Sequence, residues 1–97
     1  ITKSFTLFAS TINIVFDNDE CNKLQNYGAF AFPENKITLA TTQGIIPLSE
    51  DTIIDTYYHE KVHAILDHMQ KRELSENEEF VDIFAKLLRQ SDETSKF

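Results

Sequence analysis

The chain has 97 residues, 41% of apolar type and 26% charged, which suits one globular domain with a modest core and excludes a disordered, collagen-like or disulfide-scaffold chain. No apolar run approaches the ~20 residues a membrane-spanning helix needs. Nine Lys plus Arg against sixteen Asp plus Glu give a net charge of −7; so acidic a chain repels a phosphate backbone, and nucleic acid is not an expected partner.

Taken in order, residues 4–16 (SFTLFASTINIVF) alternate as one or two strands, with Ile12, Ile14 and Phe16 on one face. The polar run DNDECNKLQN reads as a loop or a short helical turn. In YGAFAFPENKITLATT, Phe30 and Phe32 alternate with Ala29 and Ala31, Pro33-Glu34-Asn35 makes a turn, and Lys36-Ile37-Thr38-Leu39 alternates again. This predicts a β-hairpin. From Ser49 the period becomes helical. Ser49 is a good N-cap, Glu50 and Asp51 suit the first turn, and a helix is expected to about Gln70. Ser75-Glu76-Asn77-Glu78 has the pattern of a capping box. It opens a second helix to about Gln90, with Phe80, Val81, Phe84, Leu87 and Leu88 as its apolar stripe. Residues 91–97 read as a frayed tail. The expected fold is α+β in a single domain, residues 1–97: a strand-rich part (1–48) and a two-helix part (49–90), with a small antiparallel sheet packed on the first helix and the second helix antiparallel to it.

Cys21 is the only cysteine, so no internal disulfide forms. That fits a reducing, cytoplasmic setting. The N-terminus lacks the basic region and apolar core of a signal peptide.

One motif carries chemistry: His59-Glu60-Lys61-Val62-His63, an HExxH. Residues four apart on a helix lie about 40° apart around the axis and ~6 Å along it, so both imidazoles reach one ion. Zinc takes nitrogen donors at ~2.0–2.1 Å in a tetrahedral array. Glu60 is turned about 100° from His59. It borders the metal without ligating it and can take a proton from water there. Val62, Leu66, Met69, Tyr58, Ile65 and Ile54 spread along one side of the helix, and Ile53, Tyr57 and Ala64 along another. The helix is therefore expected to pack on two sides, with the ligand sector facing the gap between them.

Catalytic zinc needs a third protein ligand. His68 lies on the far side of the helix. The acids that open the second helix are better placed, because that helix can fold back across a short loop. Glu78 ranks first, Glu79 is the reserve, and Glu76 follows; Asp82 is an outsider. The alternative for Glu78 is to close the capping box on the Ser75 amide. Tyr57 and Tyr58 are expected to pack, and Tyr27 opens the hairpin near the cleft.

HEKVHAILDHM followed by NEEFVDIFAKLL resembles the small phage- and prophage-associated zincins, relatives of the ImmA/IrrE-like metallopeptidases. More broadly it is similar to the gluzincins. The resemblance covers residues 49–90, and YGAFAFPENKITLA resembles the strand pair before the zinc helix of that family. It implies one Zn2+ per chain held by His59, His63 and Glu78 or Glu79. It also implies Glu60 as the base and a protein or peptide as substrate; such a substrate is expected to lie extended along a sheet edge, the Phe30–Leu39 hairpin, by strand addition. The Gly that often follows the zinc helix in that family is missing here. The reading from a different class is a metal-stabilised regulatory or binding domain without turnover.

Overall fold

The computed structural model describes residues 1–96. The observed class is the expected α+β. In chain order the elements are β1 (Ser4–Leu7), β2 (Ser10–Phe16), α1 (Asn18–Leu24), β3 (Gly28–Ala31), β4 (Lys36–Leu39), β5 (Thr42–Gln43), β6 (Ile46–Pro47), α2 (Glu50–His68), α3 (Arg72–Ser75) and α4 (Glu78–Thr94). No helix among the described residues is long and apolar enough to cross a membrane.

The main sheet has the order β1-β2-β4-β3. The predicted hairpin is present as β3 and β4, with Gly28 opposite Leu39 and Phe30 opposite Ile37. The expected all-antiparallel sheet needs correction, because β2 and β4 run parallel, Ile14 beside Ile37 and Phe16 beside Leu39. The polar run after β2 forms α1, capped by Asp17, whose side chain accepts from the Glu20 backbone N–H. This helix and β3 make the crossover that a parallel pair requires. As a result β4 lies inside the sheet, and Ile37, Thr38 and Leu39 are all buried. Ile12 is buried and Ile14 half-buried as their shared face predicts, whereas Phe16 at the strand end is exposed.

Helix α2 lies between the sheet and α4. On one side Tyr57 packs with Ile12, Ile37 and Leu39; on the other Val62 and Leu66 pack with Val81 and Ala85. Tyr58 touches both clusters. This is the two-sided packing the α2 pattern predicts. Ser49 caps α2 as expected, its side chain accepting from the Thr52 N–H at 3.1 Å.

Helix α2 ends at His68 in a Schellman turn. Lys71 N–H donates to Leu66 O, Gln70 N–H donates to Asp67 O, and Gln70 takes a left-handed φ of 59°. A glutamine thus performs the turn that glycine ordinarily makes. The next residues are not a plain loop but the single turn α3. Ser75 belongs to that turn, so the capping box predicted there does not form. The N-cap of α4 is Asn77, which accepts from the Phe80 N–H at 3.1 Å. Helix α4 also runs past Gln90 to Thr94, so residues 91–94 are not a tail; Phe97 lies outside the described residues. The buried residues of the α4 stripe are Val81 and Ala85, with Phe80 and Leu88 half-buried beside them, while Phe84 and Leu87 of the predicted stripe are exposed.

Candidate metal centre

His59 and His63 stand one turn apart on α2, ring centroids 5.0 Å apart. Glu78 reaches them from the first residue of α4. Its Oε2 lies 3.0 Å from His59 Nε2 and its Oε1 lies 3.3 Å from His63 Nε2. The short path through α3 makes this meeting possible, and because Asn77 caps α4 the Glu78 carboxylate is free of any capping duty. The second helix supports the arrangement from its far end. The Arg89 side chain, 16% exposed, donates to Asp51 and Asp55 of α2 at 2.7 Å each and to Glu93 at 3.0 Å. These charge-assisted bonds hold α4 against α2.

The donors fit a zinc ion. One ligand atom from each of His59, His63 and Glu78 lies within 4.8 Å of the other two. Tetrahedral zinc with bonds of ~2.0–2.1 Å places its donors about 3.4 Å apart, close to the present spacing of the Nε2 atoms from the carboxylate. Two imidazoles and a carboxylate are also a donor set zinc takes in catalytic sites, leaving a fourth position open.

Of the outer ring nitrogens, that of His63 has a hydrogen-bond partner and that of His59 only a more distant carboxylate. His63 Nδ1 lies 3.0 Å from Ser75 Oγ, and His59 Nδ1 lies 4.0 Å from Asp82 Oδ1. The reserve ligand Glu79 is not part of the His59–His63–Glu78 group and is exposed. Glu76 pairs with Arg72 at 3.2 Å instead. His68 bonds Asn35 at 3.0 Å and packs edge-on against Phe32, so it braces the β3–β4 turn, remote from the site.

Glu60 sits beside the group, between α2 and β3. Burial pushes its carboxyl above the ordinary carboxylate range; His63 and His59 pull it down, Glu78 adds to the rise, and a bond from the Phe30 backbone N–H favours the carboxylate. A carboxyl held above its ordinary range is suited both to accepting and to releasing a proton.

No protein-family model matches this chain, and no curated protein or solved structure matches it. What speaks for the site is its own geometry.

Strand β3 is the free edge of the sheet beside the site. It comes that close because residue 28 is glycine: a Cβ there would lie 2.7 Å from Thr56 Cγ2 and 3.0 Å from the Thr38 carbonyl oxygen. Two open hollows of about 320 Å³ each adjoin the edge and share Gly28, His59 and Glu60. One extends to Tyr27, Asp55 and Asp82, the other to Phe30, His63 and Glu78. Tyr27 also donates to Gln43 at 3.2 Å, which ties the cleft rim to β5.

Tyr57 and Tyr58 pack as predicted. Tyr57 is buried, and Tyr58 donates to Asp92 at 2.9 Å. Lys61 lies over the Phe5 ring, 4.9 Å from its centroid. Ser75 was the residue sequence reasoning missed. Its signal was ambiguous, because Ser75 and Asn77 are both cap-forming types two positions apart.

Proposed function

We propose that this chain is a zinc-dependent metallopeptidase acting on an extended protein or peptide segment. The observation that carries the reading is the position of Glu60: a half-buried carboxylate beside His59, His63 and Glu78, facing a free strand edge. Bound by those three residues, a zinc ion would polarise a scissile carbonyl and acidify a water molecule. Glu60 takes a proton from the attacking water and returns it to the leaving amine nitrogen. The unpaired edge of β3 receives the substrate by strand addition, backbone to backbone, which aligns its carbonyl with Glu60. The small side chains of Gly28, Ala29 and Ala31 leave room for that approach.

The second reading, a metal-stabilised regulatory or binding domain, draws on the fact that Glu78 and the two histidines come from different helices. An ion there would join α2 to α4 and add to stability without turnover. The lone buried thiol of Cys21 is in keeping with a reducing cytoplasm for either reading.

Glu60→Gln separates the two. It keeps shape and hydrogen bonding but cannot accept the proton. The expected result is unchanged zinc content with peptide hydrolysis lower by about 10²–10⁴-fold. Equal cleavage of a peptide library by both proteins, or cleavage by neither when zinc-loaded, would replace the peptidase reading with the binding one.

A further inference from the structure

His63 presents its two ring nitrogens to two different oxygens, Nε2 to Glu78 at 3.3 Å and Nδ1 to Ser75 Oγ at 3.0 Å. Ser75 is 7% exposed, so little water competes for that contact. The chain path delivers it there. The left-handed Gln70 ends α2, α3 carries the backbone round by one turn, and Ser75 is the last residue of that turn. The hydroxyl then lies against a ring 12 positions earlier in the chain.

The geometry points to Ser75 as the positioning residue that fixes the His63 ring and allows its tautomer to change when a metal binds. This rests on the reading of His59, His63 and Glu78 as metal ligands. A neutral imidazole has one N–H and one lone pair. With the proton on Nε2, His63 turns that N–H side toward the Glu78 carboxylate at 3.3 Å, and Nδ1 accepts from the Ser75 O–H. With the Nε2 lone pair on a metal, the proton sits on Nδ1 and the Ser75 oxygen accepts it. In going from the first state to the second, one proton leaves Nε2 for solvent and one reaches Nδ1 from solvent. Ser75 keeps its own proton and only rotates. A carboxylate at this place would serve the second state alone, and a backbone N–H the first alone. A hydroxyl serves both without adding charge. Alanine serves neither, leaving Nδ1 buried without its partner.

The test compares zinc affinity, by competition with a chelator, in wild type, Ser75→Ala and Ser75→Thr, and reads the His63 ring nitrogens by NMR in zinc-loaded wild type. Loss of such a partner typically weakens metal binding by about 10- to 100-fold, which is the effect expected for Ser75→Ala. Ser75→Thr should restore most of the affinity, and loaded wild type should carry its His63 proton on Nδ1. A Ser75→Ala protein that binds zinc as tightly as wild type, or a loaded wild type with the proton on Nε2, overturns the assignment. Should Ser75→Ala fail to fold, Ser75→Val against Ser75→Thr isolates the hydroxyl at nearly equal size, and equal zinc affinity in that pair overturns the assignment. Wild type that takes up no zinc removes the metal reading and this one together, whereas normal zinc uptake with an indifferent Ser75 removes this one alone.

Discussion

Gly28→Ala should loosen the wall between the sheet and α2. The added Cβ would meet Thr56 Cγ2 at 2.7 Å, Leu39 Cδ2 at 3.0 Å and the Thr38 carbonyl oxygen at 3.0 Å. Ordinary carbon–carbon contact is ~3.5–4.0 Å, so the first overlap is close to 1 Å. The carbonyl belongs to β4 and cannot turn aside as a side chain can. Overpacking of this kind costs about 1–3 kcal/mol, offset by roughly 0.5–1 kcal/mol because alanine loses less backbone entropy than glycine. Because the β4 carbonyl cannot yield, the cost lies in the upper part of that range, roughly 2–3 kcal/mol, and the net is about 1–2.5 kcal/mol, or a melting temperature lower by roughly 4–20 °C for a domain this size. Thermal unfolding followed by circular dichroism measures it. Thr56→Ser removes the Cγ2 methyl, so the double variant should recover part of the loss. Because β3 must move away from α2, the Phe30 N–H should leave Glu60, while zinc binding by α2 and α4 stays intact. An unchanged melting temperature in Gly28→Ala, or no recovery with Thr56→Ser, would refute the close approach as the reason for glycine.

Gln70→Gly should raise the melting temperature by a few degrees, because a left-handed non-glycine residue costs roughly 1–2 kcal/mol and glycine gives back about 0.5–1 kcal/mol in entropy; a fall would show that Gln70 is held by something other than the turn. Burial and the bond to Asp92 push the Tyr58 phenol up to about 12, above the usual ~10. Its folded-state contribution is therefore complete below about 10 and lost as the pH rises from there through 12, so phenolate absorbance should rise late for this residue and Tyr58→Phe should blunt the alkaline loss of stability. Glu79→Gln should leave zinc affinity unchanged where Glu78→Gln weakens it, and equal effects in a chelator competition would argue against Glu78 as the ligand.

The centre of this molecule is legible from local spacing. HExxH on a helix packed along two sides already sets two imidazoles toward a gap, and the short link to Asn77 already brings the acids that open the next helix within their reach. The β3–β4 hairpin is equally local, with its turn residues between two alternating runs. The parallel pairing of β2 with β4 was not legible, because alternation tells which face a residue takes and not which strand lies alongside. The β5–β6 ribbon, with two residues in each strand, is too short to show a period. The start of α4 was misplaced by two residues because Ser75 and Asn77 have equal local claims to the cap. What decides between them is tertiary: Ser75 is drawn under His63, which leaves the cap to Asn77. The apolar stripe of α4 was read too broadly for a related reason, since only its contact with Val62 and Leu66 determines which of its apolar residues are covered.

The most direct test of the proposed metal centre is a zinc titration of wild type and His63→Ala, followed by calorimetry, with thermal unfolding of each before and after chelation. About one zinc per wild-type chain is expected, with a lower melting temperature once it is removed, and neither effect in His63→Ala. Wild-type protein that binds no zinc, or a His63→Ala protein that binds it equally well, would contradict the site built from His59, His63 and Glu78.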